Sequence, residues 1–214
     1  MAPQNEKTPF VPRSLYGIAK LYAFLAVAHY RQAYQLFACN GILFNHESPR
    51  RGEGFVSRKI VLAVVRIHLG LQDQLVLGNL DAKRDWGYAK DFVEGMWAVL
   101  QQDLPEDYVL ATGEATTVRT FVELAFLEVG REIIWQGEGV HEVGIDCVTG
   151  KIVVKVSPDF FRPDEDNVLV GDASKAMQNL GWFAQTSLQE LVRIMVKSDA
   201  EKLQGRRYEV NRKA

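Results

Sequence analysis

The chain has 214 residues, of which 47% are hydrophobic, and this length allows one sizeable domain or two small ones. Its formal net charge of −2 gives no global field that would attract nucleic acid or an anionic membrane. The longest apolar run, at 21–28, is far shorter than the roughly 18 residues that span a bilayer, and two cysteines do not make a disulfide framework. We therefore expect a cytoplasmic protein with no nucleic-acid or membrane partner.

Predicted helices and strands alternate along the chain. Residues 1–12 are polar and contain prolines, and they are interpreted as an extended lead-in that pairs with nothing. Ser14 is the predicted N-cap of a helix that ends at about Gln32, and a strand is predicted at 36–44. Further helices are predicted at 55–69, 88–102, 118–129, 173–180 and 187–202, and further strands at 75–77, 108–111, 133–135, 151–156 and 168–170. This alternation predicts an α/β fold, with 203–214 as a mobile tail.

A polar tract follows the predicted strand at 36–44. It contains an amide, an imidazole, a carboxylate and two guanidinium groups within 45–51. Such groups past the end of a parallel strand are typical of a site for a phosphate-rich ligand, although a solvated polar loop is the alternative interpretation. Neither Gly52/Gly54 nor Gly137/Gly139 has the third glycine and the flanking elements of a dinucleotide-binding turn.

Tyr16 and Lys20 are one helical turn apart on the same face of the first predicted helix. A tyrosinate can take the proton of a substrate hydroxyl while hydride leaves for a nicotinamide, and a nearby fixed cation favours the charged phenolate. The alternative is an ordinary surface contact between residues i and i+4. The pair alone does not separate these two interpretations.

Several strings of residues match one known family. They are Tyr16-x-x-x-Lys20, Asn-Gly-Ile-Leu-Phe-Asn-His-Glu-Ser-Pro-Arg-Arg-Gly at 40–52, Leu-Gly-Asn-Leu-Asp-Ala-Lys-Arg-Asp-Trp-Gly at 77–87, Ala-Thr-Gly at 111–113, and Phe-Arg-Pro-x-Glu at 161–165. With these strings the chain resembles the GDP-mannose 4,6-dehydratase family of the extended short-chain dehydrogenase/reductase superfamily. The resemblance covers residues 8 to about 203.

The resemblance implies an NADP-dependent lyase that converts GDP-D-mannose to GDP-4-keto-6-deoxy-D-mannose in GDP-fucose biosynthesis, and that assembles as a homo-oligomer, a dimer or a tetramer. Tyr16 would deprotonate the 4-hydroxyl, and Lys20 would also hold the nicotinamide ribose. The implied residues are Tyr16 and Lys20 for catalysis, Tyr16, Lys20, His46 and Arg51 for the cofactor, and Asn45, Lys59, Arg84, Arg162 and Glu165 for the substrate, with no metal site. Ion pairs of Arg84 with Asp81 or Asp85, and of Arg162 with Asp164, are the structural alternatives.

The resemblance also implies a partial Rossmann-like sheet with an interleaved smaller lobe. The cofactor-binding part would comprise 13–47, 85–130 and 175–198, and the lobe that binds the GDP-sugar would comprise 48–84 and 131–174. In the family the dinucleotide-binding turn, a catalytic Thr and the Glu that performs the elimination lie upstream of the region matched here. We therefore expect a C-terminal part that is inactive alone. The alternative is a truncated, non-catalytic paralogue that binds GDP-sugar or associates with full-length subunits.

Overall fold

The computed structural model describes residues 3–160 and 168–211. The helices are α1 (Leu15–Tyr34), α2 (Val56–His68), α3 (Ala89–Val99), α4 (Val118–Leu127), α5 (Ser174–Leu180) and α6 (Leu188–Asn211). The strands are β1 (Gly41–Leu43), β2 (Asn45–Glu47), β3 (Leu75–Leu77), β4 (Lys83–Tyr88), β5 (Tyr108–Leu110), β6 (Ala115–Thr117), β7 (Ile133–Gln136), β8 (Val143–Asp146) and β9 (Ile152–Val156). The predicted α/β class is confirmed.

The chain forms two compact units. Unit 1 contains Met1–His46, Asp85–Ala115 and Leu169–Thr186, and unit 2 contains Glu47–Arg84, Thr116–Val168 and Ser187–Ala214. The strands β2, β4 and β6 each include a boundary between units. The assignment of one part of the chain to the cofactor and another to the substrate stays a prediction.

In unit 1, β1 and β5 form a parallel pair in which Ile42 is opposite Val109. The core beside this pair is built from Phe92, Val99, Tyr108, Leu110, Ala176 and Trp182. The indole of Trp182 donates to the carbonyl of Asp91 at 2.8 Å. Trp182 also packs edge-on against Phe92, with ring centroids 5.7 Å apart. The aromatic core therefore anchors α3 to the segment that follows α5.

The expectation that residues 1–12 pair with nothing is wrong. The N–H of Gln4 donates to the carbonyl of Val170 at 2.8 Å, and the N–H of Asp172 donates to the carbonyl of Gln4 at 2.7 Å. The carboxylate of Glu6 accepts from the N–H of Val109 at 2.8 Å. These contacts use backbone groups and one carboxylate, so they leave no hydrophobic pattern in the sequence.

The strand predicted at 36–44 is restricted to Gly41–Leu43. Gln35 at the end of α1 has a left-handed backbone with φ of 54°, and Leu36 and Phe37 are exposed. The apolar run there indicated a buried strand, but a turn and exposed side chains occupy its first part. The residue pattern also did not predict β4 and β6, which contain mostly polar or small residues.

Unit 2 contains a four-stranded sheet with the order β3-β9-β8-β7. β3 is parallel to β9, and the other two pairs are antiparallel. Helices α2, α4 and α6 pack against one another and bury Ile60, Val64, Phe121, Phe126 and Leu191. Helix α6 runs to Asn211 and so includes most of the segment predicted as a tail. Within 3–160 and 168–211, no helix has the length and apolarity to cross a bilayer.

Candidate active site

Tyr16 and Lys20 lie in the first turns of α1. The side chain of Ser14 caps the helix, because its Oγ accepts from the N–H of Gly17 at 3.0 Å. Both Tyr16 and Lys20 line a cavity of about 450 Å³ in unit 1, between α1 and residues 40–43. Tyr16 is 75% exposed. A ligand in this cavity can therefore contact a phenol and an ammonium group together.

The position of α1 relative to β1 is fixed by a polar cluster around Asp107. The Asp107 carboxylate receives two hydrogen bonds from Arg31, at 2.7 and 2.9 Å, and one from the N–H of Asn40 at 2.8 Å. Burial alone would raise the pKa of Asp107, but the hydrogen bonds from Arg31 and Asn40 outweigh it, so the pKa lies below its ordinary value. The carboxylate is thus charged and ties α1 to the start of β1.

His46 lies in unit 1, just past β1. Its Nδ1 is 2.8 Å from the carbonyl oxygen of Phe44, and its ring stacks on Phe92 with centroids 5.2 Å apart. A carbonyl can only accept, so Nδ1 carries the proton and Nε2 of the neutral ring is an acceptor. Asn45, beside it on β2, is half-buried. His46 is not among the residues that line the cavity with Tyr16 and Lys20.

Arg51 lies in unit 2, in the loop between β2 and α2. Its Nε is 3.1 Å from the buried carboxylate of Glu47, and its guanidinium is 3.5 Å from the ring centroid of Phe55. Glu47 also accepts from the hydroxyl of Ser57 at 2.6 Å. Glu47 therefore belongs to the internal network of the loop, and this network holds the Arg51 side chain.

Lys59 lies on α2 in unit 2 and contacts an aromatic ring. Its Nζ is 3.9 Å from the ring centroid of Phe160, and burial lowers the pKa of Lys59. Phe160 reaches this place because Gly78 lies at the end of β3, where a Cβ would overlap the Phe160 carbonyl. The sequence interpretation missed Phe160 and Gly78 as parts of the site. The only signal was a glycine directly after a predicted strand. Arg162 and Glu165 follow Phe160 but lie outside the described residues.

Arg84 lies on β4, and its Nη1 donates to the carbonyl of Lys83 at 2.7 Å. Of its two alternative partners, Asp81 accepts from Arg119 at 2.9 Å. The other alternative partner, Asp85, accepts from the backbone N–H groups of Thr112 and Gly113. The structure therefore gives both of these carboxylates other partners.

Asp85 is a buried acceptor that joins the loop after β5 to Gly171, which precedes α5. Its carboxylate accepts from the N–H and the hydroxyl of Thr112 at 2.9 and 2.7 Å, from the N–H of Gly113 at 3.0 Å, and from the N–H of Gly171 at 3.1 Å. A Cβ at Gly171 would overlap Ala111. The sequence interpretation missed this role of Asp85, because these partners are 27 to 86 positions away along the chain.

Comparison with known sequences identifies similar proteins. The family model described as GDP-mannose 4,6 dehydratase matches residues 1–195. The chain is 60% identical over 205 residues to the GDP-mannose 4,6-dehydratase of Sinorhizobium fredii (strain HH103), and 56% identical over 199 residues to the GDP-mannose 4,6 dehydratase of Homo sapiens. These alignments cover 96% and 93% of this chain but 58% and 54% of the relatives. The chain thus spans little more than half the length of these relatives.

Comparison with solved structures identifies similar folds. RMD from Pseudomonas aeruginosa, complexed with NADPH, superimposes with a TM-score of 0.77 at 17% identity, over 94% of this chain and 60% of that one. The dTDP-glucose 4,6-dehydratase of Bacillus anthracis, in complex with NAD, gives 0.70 at 20% identity, over 92% and 55%. At these identities the likeness concerns the fold alone, and it confirms the predicted Rossmann-like architecture.

Proposed function

This chain belongs to the GDP-mannose 4,6-dehydratase family, and we propose that it contributes catalytic and substrate-binding residues to the conversion of GDP-D-mannose to GDP-4-keto-6-deoxy-D-mannose. The observation that carries the proposal is the cavity that Tyr16 and Lys20 line together. A phenol and an ammonium group at one cavity wall suit the removal of a proton from a substrate hydroxyl. In this role Tyr16 accepts the proton of the 4-hydroxyl, and the Lys20 ammonium stabilises the phenolate.

The proposed cofactor is NADP, which supplies a hydride acceptor and donor when it is bound. Tyr16 and Lys20 offer polar groups for the hydroxyls of the nicotinamide ribose. The cavity that they line also contains the apolar side chains of Leu21, Phe24 and Ile42, which suit the nicotinamide ring. In the same proposal His46 offers an acceptor at Nε2. Arg51 offers a guanidinium for a phosphate, and such a contact would compete with Glu47 for the same side chain.

The proposed substrate-binding residues are Asn45, Lys59, Arg84, Arg162 and Glu165. Lys59 has the clearest physical support, because its charge is half-buried beside Phe160 and burial lowers its pKa. A diphosphate would give this ammonium the opposite charge that an aromatic ring does not supply. Lys59 is therefore the residue on which we base the test of substrate binding.

We do not expect the chain on its own to complete the reaction. Loss of water from C6 needs a positioned base, and Glu47 at the end of β2 already accepts from the hydroxyl of Ser57 and is ion-paired with Arg51. The sequence also has no glycine-rich turn to hold the dinucleotide pyrophosphate. The dimer or tetramer and the cytoplasmic location expected from the sequence stay predictions.

Isothermal titration of the folded chain with GDP and with GDP-mannose tests the proposal. We expect both to bind, and we expect Lys59→Met to weaken binding at least tenfold. Lys155→Met is the matched control, because Lys155 is exposed on β9 of the same unit, and it should bind as the unchanged chain does. A folded chain that binds neither compound would refute the proposal, as would an equal loss in both variants. Chromatography after incubation with NADP⁺ and GDP-mannose should show no 4-keto-6-deoxy product.

A further inference from the structure

The segment 78–84 in unit 2 borders two of the groups proposed for the substrate. Gly78 at its start lies against Phe160, whose ring contacts Lys59. Arg84 is at its other end, and only the last two residues of the segment belong to a strand. The contacts that hold this segment in place therefore decide how far apart the two groups lie.

The start of α4 holds the segment through backbone hydrogen bonds. The N–H of Val118 donates to the carbonyl of Ala82 at 3.0 Å, and the N–H of Arg119 donates to the carbonyl of Leu80 at 2.9 Å. Donors in the first turn of a helix have no partner within that helix, so these two N–H groups depend on the segment. Leu80 and Ala82 are also buried, and the segment is thus docked on α4.

The side chain of Arg119 forms a bridge to the residue between these two. Its Nη2 donates to Oδ1 of Asp81 at 2.9 Å, and both of its terminal nitrogens donate to the carboxylate of Glu142. Its guanidinium lies 4.9 Å from the ring centroid of Trp135 on β7. The Glu142 side chain is 11% exposed, whereas that of Asp81 is 73% exposed. Glu142 and Trp135 therefore fix the guanidinium, and the guanidinium in turn holds Asp81.

We propose that Arg119 is a positioning residue for the diphosphate of the substrate. Through Asp81 it holds the segment 78–84 in place. Arg84 at one end of the segment then keeps a fixed separation from Lys59 beside the other end. Arg119 does not contact the ligand in this role, because two carboxylates already occupy its guanidinium. The inference rests on the proposed function, since it concerns the same substrate.

Asp81→Ala is a test in which the sign of the effect separates positioning from charge. Removal of a negative charge favours an anionic ligand, so a purely electrostatic effect would make GDP bind more tightly. Loss of the bond to Arg119 predicts the opposite, and isothermal titration should show binding of GDP weakened by about fivefold. The urea midpoint should change little, because an exposed ion pair contributes little to stability.

Asp81→Asn is the matched control. It loses the same charge as Asp81→Ala but keeps an oxygen that accepts from Arg119, so it should bind GDP more tightly than Asp81→Ala does. In Arg119→Met binding should weaken by about tenfold. Adding Asp81→Ala to this variant should weaken binding no further, because both changes remove the same bond. Circular dichroism establishes that each variant is folded. Should Arg119→Met fail to fold, the two Asp81 variants decide the outcome.

Hydrogen exchange without any ligand tests the docking of the segment by itself. In Asp81→Ala, exchange should be faster at the amides of Val118 and Arg119, whose acceptors belong to the segment, and unchanged in the middle of α4. Unchanged exchange at these two amides would overturn the inference whether or not GDP binds. GDP binding that Asp81→Ala leaves intact or strengthens would refute the positioning role alone, as would equal losses in Asp81→Ala and Asp81→Asn. A folded, unchanged chain that binds no GDP would refute the proposed function, and the role of Arg119 toward the diphosphate with it.

Discussion

Helices α1 and α2 show that the burial of a helix depends on its neighbours more than on its own composition. α1 has 20 residues, of which none is buried, although it carries a stripe of large apolar side chains. α2 has 13 residues, of which nine are buried, although it carries Arg58, Lys59 and Arg66. α2 packs against α4 and α6, whereas none of the more extensive contacts between elements of the described residues involves α1. Tertiary packing therefore stabilises α2. Helix α1 depends instead on the Ser14 cap at its start and on the pair of Arg31 with Asp107 near its end.

The buried charge of α2 makes the contrast sharper. The Arg58 side chain is 8% exposed and is paired with Asp199 of α6, which is fully buried. The other oxygen of Asp199 is 4.0 Å from Nζ of Lys202. The corresponding pair of α1 joins Arg31 to Asp107, and their side chains are 19% and 17% exposed. The cost of breaking an ion pair should therefore differ between the two helices.

The largest effect is expected from Asp199→Ala. This change leaves the Arg58 guanidinium buried without its partner, which costs about 3–5 kcal/mol of the free energy of unfolding. Urea denaturation measures the loss. The double variant with Arg58→Met and Asp199→Leu should be close to the unchanged chain, because it removes both charges and keeps the volume. If the single variant were as stable as the double variant, buried charge would not distinguish α2 from α1.

Two isoleucines allow a matched test of packing in the same helices. Ile60 of α2 is fully buried, and Ile18 of α1 is 54% exposed. Ile60→Ala should lower the free energy of unfolding by about 2–5 kcal/mol, because it leaves a cavity, whereas Ile18→Ala should change it by less than about 1 kcal/mol. The same denaturation experiment on both variants checks this. Equal losses would mean that the Ile18 side chain is packed in solution.

The difference between the two helices could not be predicted from the sequence. The Ser14 cap and the apolar periodicity predicted a helix from 14 to about 32, and the structure has it at Leu15–Tyr34. A pattern of apolar residues predicts a face, but it does not say whether another element covers that face. The pairing of Arg58 with Asp199 joins residues 141 positions apart, so it left no local signal.

In the candidate site, too, the features that depend on neighbouring residues could be predicted from the sequence, and the contacts between distant segments could not. Its residue types follow from contiguous strings, such as the one at 40–52, so the family could be named from the sequence. The internal network of Glu47 and Arg51 is local, since these residues are four positions apart. The contact between Lys59 and Phe160 depends on Gly78, which brings distant segments together. The roles assigned to the site residues stay predictions until ligand binding is measured.

The smallest effect concerns the caps of α1 and α4, and it tests how each helix is held. Ser14 Oγ accepts from Gly17 at 3.0 Å, and Thr117 Oγ1 accepts from Thr120 at 3.1 Å. Loss of either cap by substitution with Ala costs about 1 kcal/mol. In α4 five residues are buried, so Thr117→Ala should lower global stability and leave the helix intact. In α1 no residue is buried, so Ser14→Ala should fray the first turn, which carries Tyr16.

Hydrogen exchange resolves these two outcomes, because it reports local opening separately from global unfolding. Ser14→Ala should speed exchange at the amides of 17–20 with little change in the urea midpoint, whereas Thr117→Ala should shift the midpoint and leave the exchange pattern within α4 unchanged. Ser14→Gly is the control, since glycine at an N-cap costs only a few tenths of a kcal/mol. If Ser14→Ala instead lowered the midpoint without local exchange, α1 would unfold together with the core of unit 1. Its exposed stripe would then belong to a cooperative element and not to a helix held mainly at its ends.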